Sequence, residues 1–201
     1  MRILLVRHGE TVWNHEMRYQ GHADIELSAL GLEQAAKVAK RLAGINPAAI
    51  YASDLRRAVR TAEIIAEQYA LPVVSLPALR ELNFGEWEGK NYEGISNQWP
   101  ETMGMLFTHP DEVQIPGGEN FHDLAKRAGK TVEELVVKHS GETVLIVAHG
   151  GTIRSILCGA LHVPLKYIWS IRQDNTAVNI IDFYKDRTVV TLVNDSHHLG
   201  G

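Results

Sequence analysis

The sequence predicts an α/β fold, a three-layer sandwich in which helices cover both faces of a mostly parallel central sheet. Short apolar runs alternate with longer segments whose apolar residues recur at helical spacing, as in parallel strands joined by right-handed crossovers. The length of 201 residues suits one domain, and a content of 45% hydrophobic and 22% charged residues suits a globular core. We therefore expect residues 1–201 to form a single domain.

The first half of the chain predicts three strands and two helices. Residues 3–6 are apolar throughout, which is expected of a strand buried on both faces. Apolar residues then recur at helical spacing over 32–42, with Ser28 available as an N-cap and Gly44 as a stop. Short strands are predicted at 50–52 and 73–74, and a helix between them at 55–68.

The second half begins with a segment of a different kind. Residues 83–119 are rich in glycine and proline and show little periodicity, so we expect an irregular excursion with one short helix, serving as a lid or pocket wall. Helical spacing returns at 121–136 and 153–161, on either side of an apolar strand at 144–147. Two last strands, at 178–183 and 189–193, are expected to form a hairpin.

The composition excludes several classes of protein. A net charge of -4 gives no global attraction for nucleic acid or for an anionic membrane, so any anion site must be a local pocket. The single cysteine excludes a disulfide framework and a Cys-rich zinc site. Because the sequence also shows no apolar run of membrane-spanning length and no signal-peptide core, we expect a cytoplasmic protein. We expect no nucleic-acid or membrane partner, and the sequence leaves open whether two copies of the chain form a homodimer.

Polar residues follow the predicted strands at the end where α/β sheets bind their ligands. Arg7 and His8 come directly after the first strand, and Arg57 lies one helical turn beyond the second. His149 and Gly150 follow the strand at 144–147. Guanidinium groups match phosphate oxygens, and glycines at helix starts expose amide groups to anions. The sequence therefore predicts a site for a phosphoryl group at this edge of the sheet.

Chemistry at such a site needs a nucleophile and a proton donor. The sequence has no Walker-type glycine loop, no Asp-rich magnesium cluster and no Cys-x5-Arg loop, so imidazole is the candidate nucleophile. A neutral His8 can attack phosphorus directly. The leaving alkoxide needs a proton, and Glu81, just before the irregular excursion, is the candidate general acid.

Four segments, in order, resemble the signatures of the histidine phosphatase superfamily, which has the phosphoglycerate-mutase-like fold. They lie at residues 7–11, 53–58, 81–85 and 148–151. The resemblance implies that His8 becomes phosphohistidine and that Glu81 protonates the leaving oxygen and then activates water. It also implies that the reaction needs no metal or other cofactor. The groups that it assigns to the phosphoryl oxygens are Arg7, Asn14, Arg57, His149 and Gly150.

The branch within the superfamily is predicted from segment length. Mutase members carry an extra segment after the acid glutamate, and this chain is short there, which resembles the phosphatase branch. We therefore expect a metal-independent phosphomonoesterase acting on a small phosphorylated metabolite, with α-ribazole 5′-phosphate favoured. Phosphoserine phosphatase, broad-specificity phosphatase and phosphoglycerate mutase stay as alternatives, and a metal-dependent hydrolase or a phospho-ligand binding module as rivals of other classes.

Two further expectations concern the substrate pocket. Its walls are expected to include Gln20, Gly21 and Trp87. The C-terminal residues 194–201 resemble tails that fold over the pocket in some relatives.

Overall fold

The computed structural model describes residues 1–200 and confirms the α/β class. The strands found within these residues are β1 (Arg2–Arg7), β2 (Ala49–Ala52), β3 (Val73–Ser75), β4 (Thr143–Ala148), β5 (Val178–Phe183) and β6 (Thr188–Asp195). They form one sheet in the order β3-β2-β4-β1-β5-β6. Strands β1 to β4 pair in parallel, whereas β5 and β6 run antiparallel to their neighbours. The sheet is thus mixed and mostly parallel, and it ends in the expected hairpin.

Helices connect and cover these strands. The α-helices are α1 (Val12–His15), α2 (Ala29–Arg41), α3 (Arg56–Ala66), α4 (Tyr92–Gln98), α5 (Pro100–Thr108), α6 (Phe121–Lys138) and α7 (Gly150–Leu161). Short 3-10 turns lie at Pro77–Leu79, Gly85–Trp87, Pro110–Glu112, Leu165–Ser170 and His197–Leu199. Within residues 1–200, no helix has both the length and the apolarity needed to cross a membrane.

The sheet separates two apolar clusters, and β1 contributes to both. Ile3 and Leu5 pack in a cluster with residues of α6 and α7. Leu4 and Val6 pack on the opposite face in a cluster with residues of α2 and α3. Because successive side chains of a strand point to opposite faces, a central strand between two helical layers must be apolar at every position. This arrangement explains the unbroken apolar run in the sequence.

The excursion over residues 83–119 is more helical than expected. It contains two α-helices, α4 and α5, so the prediction of one short helix was wrong. The two helices have seven and nine residues, and only Trp99 separates the end of α4 from Pro100, which starts α5. Segments this short show too few turns for a helical period to stand out in the sequence.

A third apolar cluster lies beneath this excursion, and it contains Trp87, which was expected to line the pocket. Trp87 is 0% exposed and packs there with Phe84, Ile95, Met103 and neighbouring apolar residues. Its ring stacks near that of Phe84, with centroids 6.5 Å apart. Trp87 is therefore a core residue and does not line the substrate pocket.

The C-terminal tail was also expected to lie at the pocket. Residues 197–199 form a 3-10 turn beside α2, and His198 Nε2 is 3.0 Å from the hydroxyl of Thr176. None of residues 194–200 lines the cavity described below, so the structure gives no support to the hypothesis that this tail folds over the pocket. Gly201, the last residue of that prediction, lies outside the described residues.

Candidate active site

Three parallel strands end at the same edge of the sheet and bring the predicted polar residues together. His8 follows β1 and His149 follows β4, and the centroids of their rings are 5.1 Å apart. A cavity of about 350 Å³ opens at this edge. The residues singled out from the sequence that line it are Arg7, His8, Asn14, Gln20, Gly21, Arg57 and Glu81.

His8 is held as a neutral imidazole. Its Nδ1 is 2.7 Å from the carbonyl oxygen of Gly9, which can only accept, so Nδ1 carries the proton and Nε2 has a free lone pair. Burial and the nearby guanidinium groups of Arg57 and Arg7 hold the pKa of His8 well below its usual value. The imidazole is therefore uncharged at neutral pH and is suited to act as a nucleophile through Nε2.

His149 is held in the opposite tautomer. Arg57 Nε donates a hydrogen bond to His149 Nδ1 at 3.2 Å, which leaves the ring proton on Nε2. Burial, followed by the Arg57 charge, holds the pKa of His149 well below its usual value. The side chain is 0% exposed, and its Nε2 has no partner among the described residues. A buried donor without a partner lowers the stability of the folded protein by about 1–3 kcal/mol, so a ligand oxygen that accepts from it would stabilise this arrangement.

Arg57 is fixed by main-chain carbonyl groups. Its NH1 and NH2 donate to Ala23 O and Gly21 O at 2.7 and 2.8 Å, and the side chain is 1% exposed. Burial lowers the pKa of Arg57 to about 10, so the guanidinium stays charged at neutral pH. Its neighbours in sequence differ, because Arg56 and Arg60 are exposed and form ion pairs with carboxylates on the surface.

Arg7 is the second buried guanidinium. Its NH1 donates to Gln173 O at 2.6 Å, while its Nε is buried without a partner among residues 1–200. Burial and the nearby charge of Arg154 lower the pKa of Arg7 to about 10. Gly150 leaves room for the neighbouring Arg154, since a Cβ atom at position 150 would lie 3.0 Å from Arg154 NH1.

Arg154 is a cation near the site that the sequence analysis missed. Its Nε donates to Ile171 O at 2.7 Å, and its guanidinium lies over the Trp169 ring at 5.2 Å from the centroid. The signal was its position four residues after Gly150, which places both on the same face of α7.

Glu81 is anchored to the first turn of α7. Its carboxylate oxygens accept hydrogen bonds from the amides of Gly151, Thr152 and Leu82 at 2.9, 3.2 and 2.9 Å. The free amides at the amino end of a helix are donors for carboxyl oxygens. The carboxyl group is therefore fixed at the cavity by the same helix that follows His149.

Arg127 holds the segment that carries Glu81 and was also missed by the sequence analysis. Its guanidinium donates to the carbonyl oxygens of Ala78, Arg80 and Glu81, and it pairs with Glu119 at 2.8 Å. These contacts join α6 to the start of the excursion, which no local pattern in the sequence reveals.

Asn14 lies at the cavity beside the pocket residues. Its Oδ1 accepts from the amide and the hydroxyl of Thr11, both at 3.1 Å. The Thr11 hydroxyl has one proton, and Gln20 Oε1 at 2.9 Å is the alternative acceptor for it. Since these bonds occupy Asn14 Oδ1, the amide Nδ2 is the group that Asn14 can offer to a phosphoryl oxygen.

We expect the substitution Gly151→Ala to lower kcat by about 100-fold, because an atomic misplacement of an ångström at a reacting group costs about that much. A Cβ atom at position 151 would lie 2.5 Å from Glu81 Oε1 and would push the carboxyl group away. Steady-state hydrolysis of p-nitrophenyl phosphate measures the effect. Gly159→Ala on the same helix is the control, because its Cβ would meet no heavy atom within 4 Å. Equal kcat values for the two variants would contradict the placement of Glu81.

Comparison with known proteins identifies the family. The family model of the Histidine phosphatase superfamily (branch 1) matches residues 3–196. The chain belongs to this superfamily. The resemblance seen in the sequence is thereby confirmed, and as a histidine phosphatase the chain is a phosphoric monoester hydrolase.

Similar proteins from several organisms support this placement of the histidine phosphatase. A metal-independent phosphoserine phosphatase from Arabidopsis thaliana is 35% identical over 201 residues, covering 98% of this chain and 82% of that protein. The structure of Bacillus stearothermophilus YhfR is 36% identical, with a TM-score of 0.95 and coverage of 98% of both chains. The α-ribazole phosphatase from Shigella flexneri is 28% identical, with a TM-score of 0.89 and coverage of 98% of this chain and 97% of that one.

Proposed function

We propose that the chain hydrolyses a small phosphomonoester through a phosphohistidine formed at His8. The observation that carries this proposal is the pair of buried donors, Arg7 Nε and His149 Nε2, which have no partners among residues 1–200. They lie beside a neutral imidazole whose Nδ1 proton is already engaged by Gly9 O. A phosphoryl group would accept from both donors while its phosphorus faced His8 Nε2.

The first half of the reaction transfers the phosphoryl group. His8 Nε2 attacks phosphorus as the ester P–O bond breaks, and a protonated Glu81 gives its proton to the departing oxygen, so a neutral alcohol leaves. Arg7 and Arg57 face the oxygens that gather negative charge in the transition state. Because both guanidinium groups are fixed by carbonyl groups before substrate binds, little reorganisation is needed during the reaction.

The second half hydrolyses the phosphoenzyme. Glu81, now a carboxylate, takes a proton from water, and the water oxygen attacks phosphorus as the N–P bond breaks. The products are inorganic phosphate, free His8 and a protonated Glu81. The amides of α7 hold the same carboxyl group for both steps, which lets one residue act first as acid and then as base.

The aromatic lining of the cavity favours a substrate whose leaving alcohol carries an aromatic, nucleoside-like group. Four aromatic side chains among the described residues line the cavity, and Arg18, which lines it as well, forms an ion pair with Glu16 at 2.6 Å. Aromatic rings favour flat apolar partners, and a carboxylate would need a free cation. The aromatic residues are Tyr19, Phe84, Tyr92 and Phe107. We therefore propose α-ribazole 5′-phosphate as the substrate, with phosphoserine as the alternative that the Arabidopsis relative supports.

Rates with three substrates test this choice. We expect kcat/KM for α-ribazole 5′-phosphate to exceed that for phosphoserine and 3-phosphoglycerate by about 100-fold, which equals about 2.7 kcal/mol of transition-state discrimination. We expect Phe107→Ser to reduce this ratio of kcat/KM values about tenfold, because the substitution deletes part of the apolar wall but no charged group. Tyr167→Ser, at an exposed aromatic residue outside the cavity, is the matched control.

The same assays distinguish the rival functions. A preference for phosphoserine would replace the proposed substrate and leave the mechanism intact. Primer-dependent interconversion of phosphoglycerates would show a mutase. Loss of activity after exhaustive chelation would show a metal-dependent hydrolase, although residues 1–200 contain no cluster of three or more His, Cys, Asp or Glu side chains that could hold a metal ion.

A further inference from the structure

The segment of residues 173–177, just before β5, contacts Arg7 and His8 through its backbone and through the side chain of Asn175. Gln173 O accepts from Arg7 NH1 at 2.6 Å, and Ala177 O accepts from the Arg7 amide at 3.2 Å. The Nδ2 group of Asn175 donates to His8 O at 3.1 Å. The position of this segment therefore sets the positions of Arg7 and His8.

A buried pair of amide side chains holds the start of this segment. Gln173 Nε2 donates to Asn179 Oδ1 at 2.8 Å, and Asn179 Nδ2 donates back to Gln173 Oε1 at 2.9 Å. Asn179 lies within β5, is 0% exposed, and also donates to Leu5 O at 3.3 Å. An amide group buried at the centre of a sheet is costly unless each of its polar atoms is bonded, and these contacts meet that requirement.

Asn194 extends the pair into a network. Its amide donates to Asn179 Oδ1 at 2.8 Å, its Oδ1 accepts from the Asp174 amide at 2.7 Å, and its Nδ2 donates to Asp174 Oδ2 at 2.9 Å. Asn194 has a φ of 54°, in the left-handed region that non-glycine residues rarely adopt. Such strain persists where the surrounding contacts fix it, and it is concentrated at functional sites.

We infer that Asn179 is a positioning residue for Arg7. Through its amide pair with Gln173, Asn179 fixes the carbonyl that receives Arg7 NH1. Because the guanidinium group is planar, fixing NH1 also fixes the direction of Nε, the buried donor that has no partner among the described residues. The long Arg7 side chain then loses little rotational freedom when a phosphoryl group binds. This inference rests on the proposed function, since it takes Arg7 as a ligand of the phosphoryl group.

A double-mutant cycle between Asn179 and Arg7 tests the inference. The dissociation constant of inorganic phosphate is measured by phosphorus NMR titration for the wild type, Asn179→Ala, Arg7→Met and the double variant. We expect Asn179→Ala to raise this constant by about tenfold in the wild type but less than about twofold in the Arg7→Met background, because Asn179 acts through Arg7. The same fold-change in both backgrounds, or none in the wild type, would overturn the inference.

Two further variants separate positioning from general loss of stability. Gln173→Met keeps the side-chain volume and removes the amide, so it should weaken phosphate binding as Asn179→Ala does, and it replaces that variant if Asn179→Ala fails to fold. Val38→Ala, at a buried position of α2, should lower the melting temperature and leave phosphate affinity unchanged. Unchanged phosphate affinity in Gln173→Met would also overturn the inference. If Arg7→Met itself binds phosphate as the wild type does, the proposed function fails instead.

Discussion

Replacing His8 with alanine is expected to lower kcat for p-nitrophenyl phosphate by about 10⁴-fold or more, because the nucleophile of the reaction is lost. The cationic groups around it remain, so the variant should still bind inorganic phosphate. Wild-type enzyme quenched in alkali during turnover of a labelled substrate should carry a phosphoryl group that is stable to base and labile to acid, and His8→Ala should carry none. Hydrolysis rates and the label on the quenched protein measure the two effects.

A histidine away from the cavity provides the control for that experiment. His122 is exposed on α6, and His122→Ala should keep the kcat and the labelling of the wild type. Substantial turnover by His8→Ala would mean that another group, or water directly, attacks phosphorus. If wild type and His8→Ala are both inactive and both bind phosphate esters, the chain is a binding module for such ligands.

Replacing Arg57 with methionine is expected to lower kcat/KM by about 10³-fold, or about 4 kcal/mol, as is typical when a fixed donor to a transition-state oxyanion is removed. Arg57 has a second role, because its Nε bond to His149 Nδ1 sets the tautomer that presents Nε2 as a donor. Losing both functions should affect kcat as well as KM. Steady-state kinetics and the affinity for inorganic phosphate measure the separate effects.

The same helix offers a matched control for Arg57. Arg60 lies one turn away on the exposed face of α3 and pairs with Glu63 at 3.2 Å, so Arg60→Met should change kcat/KM by less than about twofold. Similar losses in both variants would indicate that the net charge of α3, and not the buried position of Arg57, controls the reaction.

The central sheet and the strand-end residues were predictable because their signals are local. A strand covered on both faces must be apolar throughout, and residues 3–6 and 144–147 show this pattern directly. The residues that follow these strands must then meet at one edge of the sheet, which is where His8 and His149 lie. Glu81 was found from its segment and from the need for a proton donor, without any periodic pattern.

The supporting contacts were not predictable because they join distant parts of the chain. Arg127 reaches Glu81 from α6, and Arg7 reaches the carbonyl group of Gln173, and neither contact leaves a pattern in the sequence. Trp87 was misplaced for a related reason. An aromatic residue among glycines and prolines suggests a pocket wall, and only the packing of α4 and α5 shows that it is buried.

The aromatic wall of the cavity and the histidines proposed to act on the phosphoryl group come from different parts of the molecule. Tyr92 and Phe107 belong to α4 and α5, over the third apolar cluster, whereas His8 and His149 sit at the rim of the sheet. Mutations in the excursion can therefore alter which alcohols are accepted while the bond-breaking apparatus stays intact. An ancestral enzyme of this architecture could therefore change its substrate through single mutations in the excursion and stay active at every step.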